Sequence, residues 1–119
     1  MSLVYCMYST QDGIPRYVEK IQGDSERRLK QHLARALEQD DRSPLYNWIR
    51  DVIRAGYLID IHVLQREITP KELDLFENYW IKQFPNLLNT GLPEPRPAEP
   101  TPAAAQVTRA LQDKVRAGR

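Results

Sequence analysis

Glu77 is the residue whose type fits its surroundings least. Around it Leu73, Phe76, Trp80, Ile81 and Phe84 recur at helical spacing, and Glu77 stands one turn from Leu73, Trp80 and Ile81 and two from Phe84. A carboxylate aimed at an apolar face calls for a cation, either Arg, Lys or a metal ion, because an unpaired buried charge is costly. The alternative is a rim glutamate with its stem on the core and its head in water. Arg28 and His32, four residues apart, share one face of a predicted helix. Such a pair can grip a phosphate: the guanidinium offers a planar fork of donors, and the imidazole donates or transfers a proton near neutral pH. Arg27, Lys30 and Arg35 alongside allow a plainer reading, a solvated charged face. Tyr5 and Tyr17 fall on two runs that read as paired strands, where phenols either line a site together or simply pack, since strands favour aromatics for fit alone. Cys6 reads as a small buried hydrophobe, and His62 as a structural or surface residue with no assigned role.

The elements that must position these groups alternate between two periodicities. Leu3 to Tyr8 is a short apolar run and Ile14 to Ile21 alternates, with a polar, glycine-containing turn between them, which predicts a β-hairpin. Asp24 or Ser25 caps a helix carrying Leu29, Leu33, Ala36 and Leu37 and ending near Gln39. Ser43 and Pro44 open a second helix with Leu45, Trp48, Ile49, Val52 and Ile53, stopped by Gly56. Leu58 to Leu64 is alternating and β-branched, a half-buried strand. Thr69, Pro70 and Glu72 form a capping box for the helix that holds Glu77 and runs through Phe84. The order β-β-α-α-β-α predicts an α/β (α+β) fold, a small three-stranded sheet flanked by helices.

Composition excludes several classes. A chain of 119 residues with 17 Lys and Arg, 16 Asp and Glu and a single cysteine has room for one small domain, no disulfide framework and no thiolate zinc cage. No apolar run approaches the roughly 18 to 20 residues of a membrane span, and no secretory leader pattern opens the chain, so a cytoplasmic protein with no membrane contact is expected. A net charge of +1 makes any polyanion binding a local matter. Five of the nine prolines fall within residues 93–102, which reads as an extended linker between a domain over 1–92 and a basic tail over 103–119 that can form a short helix. The tail holds the positive excess: 12 basic and 13 acidic residues precede Pro93, while 5 and 3 follow from there.

Val4-Tyr5 on the first strand, Arg16-Tyr17-Val18 on the second, Arg28 to Leu33 on the following helix, Glu77 on a later one and Leu87-Leu88-Asn89-Thr90 together resemble the GIY-YIG nuclease superfamily. Pro44, Leu45, Trp48, Ile49 and Trp80 are similar to it as well, and the resemblance spans residues 3 to 92. It implies metal-dependent hydrolysis of DNA phosphodiesters. By this likeness Glu77 is the single protein ligand of a Mg²⁺ or Mn²⁺ ion, and Tyr5 takes a proton from the attacking water with Arg28 as the cation that makes this feasible. Arg28 also stabilises phosphate charge, while Tyr17 and His32 orient substrate and water. Lys20 holds a further phosphate, and Asn89 braces the site backbone, where it is counted with the substrate-binding residues.

Two positions depart from the family pattern. Glu19 stands where the second motif ends in glycine, and Ile21 where a small hydroxyl residue is usual. The stretch from Glu19 to Arg28 is also one residue longer, which makes Arg27 the fallback for the arginine. Glu19 shares the face of Tyr17, where it can pair with Arg28 and compete with phosphate, add a second metal ligand, or swing out. The expectation is therefore a DNA endonuclease, with a degenerate domain that binds DNA or a protein partner without cleavage as the alternative. A third reading makes the C-terminal tail a docking element for a protein partner.

Overall fold

The computed structural model describes residues 2–118. Strands β1 (Ser2–Ser9), β2 (Pro15–Gln22) and β3 (Ile59–Ile68) form an antiparallel sheet in the order β2-β1-β3. Helices α1 (Ser25–Glu38) and α2 (Pro44–Arg54) fall between β2 and β3, and a 3-10 turn over Pro70–Glu72 leads into α3 (Leu73–Ile81). A fourth helix, α4 (Pro102–Ala117), ends the described chain. The fold is thus the expected α+β arrangement with β-β-α-α-β-α order, to which α4 is added. No described helix is long and apolar enough to cross a membrane.

Because β1 is central, both of its faces are covered, which explains why it reads as one continuous apolar run rather than an alternation. Leu3, Tyr5 and Met7 point to the side of α1 and α2, packing with Leu29, Ala36, Leu45 and Ile49. Val4, Cys6 and Tyr8 point to the opposite side, where Val18, Leu73, Ile81, Phe84 and Leu87 meet them. Cys6 is fully buried there, and burial pushes its thiol up to about 12. His62 is half-buried, its pKa lowered by burial and by Lys114 of α4. A bulge near the end of β3, where Glu67 takes a left-handed conformation (φ 57°), turns Ile68 back into this second core.

β3 runs on to Ile68 where the sequence reading ended it at Leu64, and both ends of the helix that holds Glu77 differ for local reasons. Thr69 does not cap a helix with its side chain; its hydroxyl donates to the Glu72 carboxylate (3.1 Å), and the first turn tightens to a 3-10 geometry. Helix α3 stops at Ile81, so Phe84 enters the core from the following turn. Beyond residue 92 the chain packs on the domain instead of hanging from it. Arg96 donates through Nη1 and Nη2 to the carbonyls of Ile81 and Phe84, satisfying groups that a helix end leaves unpaired. The Thr101 amide donates to the Gln83 carbonyl (3.1 Å) and its hydroxyl caps α4, which buries Ala104 and Leu111 in the same core as Val4 and Val18. Gly13, in the hairpin turn with φ 69°, lets α4 approach closely: a Cβ there would lie 2.9 Å from the Gln112 nitrogen.

Candidate active site

The hairpin register sets Tyr5 directly opposite Glu19, and Met7 opposite Tyr17, on the face that α1 crosses. Gly23, with φ 114°, turns the chain off β2, and the Asp24 side chain accepts the Glu26 amide (3.0 Å) to start α1. Burial of Leu29 and Ala36 then orients the helix so that Arg28 and His32, one turn apart, face the hairpin. The solvated-face reading of this helix fails at His32, which is 1% exposed.

All four groups converge on one carboxylate, that of Glu19. Tyr5 donates its hydroxyl to Oε1 (2.6 Å) and Tyr17 donates to Oε2 (3.0 Å). Arg28 spans the group, Nε to Oε1 at 2.9 Å and Nη2 to Oε2 at 3.2 Å, which is the bidentate geometry a guanidinium uses for carboxylates and phosphates alike. His32 Nε2 lies 3.3 Å from Oε1, and Nδ1 lies 2.8 Å from the Tyr46 hydroxyl of α2. Since the Glu19 carboxylate only accepts, Nε2 carries the hydrogen, and in the neutral ring Nδ1 accepts from Tyr46. Tyr17 packs edge-on to the imidazole with centroids 5.6 Å apart. Of the three fates open to Glu19 from sequence, the structure adopts the first half of one: it pairs with Arg28.

The electrostatics follow from that pairing. Burial disfavours the Glu19 charge, yet the bonds from His32, Arg28 and Tyr5 outweigh it and hold the carboxyl well below the usual range. Tyr5 moves the other way. Burial, the Glu19 charge and the hydrogen bond to it hold its phenol far above an ordinary tyrosine, and Arg28 offsets only part of this. Tyr17 is raised by burial and Glu19 in the same manner. The expectation that Arg28 makes Tyr5 a ready proton acceptor is therefore not met while Glu19 sits between them. Arg28 itself is held more firmly protonated by its bond to Glu19.

Glu77 reaches the edge of β2 from α3. Its Oε2 accepts the Lys20 amide (2.8 Å), so its inward aim is matched by a backbone donor, a partner the sequence reading did not weigh. Oε1 of Glu77 makes no hydrogen bond among the described residues. On the other side of Glu19, Asn89 accepts the Val18 amide at Oδ1 (3.1 Å) and donates Nδ2 to the Val18 carbonyl (2.7 Å). Both polar atoms of Asn89 are thereby committed to bracing, and the backbone is clamped on each side of Glu19. The adjacent Leu88 amide donates to the Arg16 carbonyl (2.6 Å), closing the exposed edge of the sheet. Lys20 points to Asp74, whose carboxylate raises its pKa, and Arg27 is exposed beside a cavity of about 220 Å³ shared with Arg28 and Gln31.

Among the described residues no set of three or more His, Cys, Asp or Glu gathers to cage a metal. A carboxylate with one oxygen fixed and the other unbonded fits a hydrated hard cation that takes its remaining ligands from water and substrate. Tyr46 is the member of the site that sequence reasoning missed: helical periodicity marks it as a face residue, and nothing local says that its hydroxyl meets His32. No protein-family model matches the chain, nor does any curated protein or solved structure.

Proposed function

We propose that the chain is a divalent-metal-dependent DNA endonuclease of the GIY-YIG kind whose phosphate site is occupied at rest by its own Glu19. The observation that carries this reading is the convergence of Arg28, Tyr5, Tyr17 and His32 on one anion, the Glu19 carboxylate, with the half-buried Glu77 bonded to the backbone amide of the next residue, Lys20. Four donors around a carboxylate are also what a phosphodiester oxygen needs in the transition state of hydrolysis. With a phosphate in place of Glu19, the Arg28 fork holds two phosphate oxygens and Tyr17 and His32 orient the group. Tyr5, ionised to a phenolate that Arg28 stabilises as its charged neighbour, takes the proton of the attacking water as the new P–O bond forms and the bond to the leaving oxygen breaks, that oxygen taking a proton from solvent. Glu77 would hold a Mg²⁺ or Mn²⁺ ion, which would supply charge stabilisation at the leaving oxygen. Arg109, Lys114 and Arg116 on the exposed side of α4 add phosphate contacts, which makes affinity salt-dependent.

A second reading, binding of DNA or a protein partner without cleavage, is favoured by one specific observation: Glu19 takes Nε and Nη2 of Arg28 and both phenols, while Nη1 donates to Gln31. Nicking of supercoiled plasmid and branched oligonucleotides with Mg²⁺ or Mn²⁺ separates the two. The informative variant is Glu77→Gln, since the amide oxygen can still accept from Lys20 and the fold is kept. Cleavage by the native chain that vanishes in Glu77→Gln and with a chelator supports the nuclease. Cleavage undiminished in Glu77→Gln removes Glu77 as the ligand, and a folded chain that cuts nothing under either ion leaves the binding reading.

A further inference from the structure

A cavity of about 220 Å³ opens beside the Glu19 cluster, and it shares Tyr17, Arg28 and His32 with it. Its other walls differ in character from the anion site. Leu45 and Leu88 give it an apolar side, Ser43 and Thr90 place hydroxyls at it, and Arg35 lies over the Tyr46 ring, its guanidinium carbon 5.0 Å from the centroid. One wall is rigid, because Leu88 and Asn89 are bonded to the β2 backbone on either side of Tyr17. A ligand that suits these walls carries an anionic group for the Arg28 fork, in exchange for Glu19, and a less polar body against Leu45, Leu88 and the Arg35–Tyr46 stack. A nucleotide has this composition. A base that is paired and stacked in a duplex cannot enter a concave site of this kind, whereas an unpaired one can.

We infer that this cavity takes the unpaired nucleoside next to the phosphate bound at Arg28, so that the substrate class is DNA with single-stranded or displaced nucleotides. This rests on the phosphate-site reading above. The test is fluorescence anisotropy with the full chain and with Glu19→Gly, using a labelled oligothymidylate, a strand of abasic residues of equal length, a blunt duplex and thymidine 5′-monophosphate. Stacking of a base contributes about 1 to 3 kcal/mol, so the thymidylate strand is expected to bind about 5- to 150-fold tighter than the abasic strand. Thr90 is exposed at the cavity, and Thr90→Trp, checked for an unchanged melting temperature, is expected to erase that preference by filling the space. Equal affinity for thymidylate and abasic strands, or a preference that survives Thr90→Trp, overturns the inference. Binding of the mononucleotide as tightly as the strand also overturns it, since the site would then serve free nucleotides. Arg28→Ala separates the two levels: weakened binding of thymidylate and abasic strands alike upholds the phosphate site even if the base preference is absent. Affinities unchanged by Arg28→Ala, or no binding of any probe to either protein, overturn both.

Discussion

Replacing Glu19 by glycine should turn an internally satisfied site into one open to phosphate, and the size of the effect can be worked from the contacts. A phosphodiester gripped by the Arg28 fork must displace the carboxylate that now holds Nε and Nη2. The two anions would then lie on the order of 4 Å apart, and at an effective dielectric of about 20 their repulsion is roughly 4 kcal/mol. The Arg28 side chain is 37% exposed, so solvent screening reduces this to about 2 to 3 kcal/mol. Removing the carboxylate is therefore expected to tighten DNA binding by about 30- to 150-fold. It also leaves the buried Tyr5 hydroxyl without an acceptor, at a stability cost of about 1 to 3 kcal/mol that an entering anion can recover. Two assays read this directly: anisotropy on a labelled oligonucleotide at about 0.1 M salt, and the melting temperature with and without inorganic phosphate. Phosphate should raise the melting temperature of Glu19→Gly and leave that of the native chain nearly unmoved. If Glu19→Gly binds DNA no better than the native chain and phosphate stabilises neither, the carboxylate is not standing in for a phosphate and the argument fails.

The same carboxylate fixes the acid arm of stability. Its folded pKa is depressed, so the stability it contributes is complete above the unfolded value of about 4.3 and is lost as pH falls from there through the folded value. Urea unfolding against pH should show a decline below about pH 4 that is shallower in Glu19→Gln, which keeps the shape and removes the titration. A native acid slope identical to the variant's would contradict the assignment. At the far end of the hairpin, Gly13→Ala should destabilise the chain by about 1 to 3 kcal/mol, because its φ of 69° is strained for alanine and the new Cβ presses on the backbone of α4. Urea midpoints unchanged by this substitution would mean that α4 is not seated where Gly13 touches Gln112.

The parts of the fold that were legible in the sequence are those decided by local chemistry. Period-two and period-3.6 apolar patterns, Pro44 at a helix start and Gly56 past a helix end report backbone preferences that tertiary packing did not need to override. What escaped is what long-range contacts decide. Arg96 sits in a proline-rich run with the composition of a linker, yet its guanidinium caps the end of α3, and only the fold brings those carbonyls within reach. The site divides along the same line. The pairs Tyr5 with Tyr17 and Arg28 with His32 could be proposed because strand alternation and helical spacing are short-range rules, whereas the meeting of the two pairs was expected only from the resemblance to the GIY-YIG nucleases. Tyr46 could not, because its hydroxyl matters only through His32, fourteen residues away along the chain. Glu19 is the instructive case. Its side of the strand and its pairing with Arg28 were both accessible from alternation, but the choice among pairing, metal ligation and swinging out depends on whether enough donors converge to outweigh burying the charge. Arg28, two phenols and His32 do converge, so the carboxylate stays in, and on the function proposed above the groups that would cradle a phosphate are the same ones that hold Glu19 in its place.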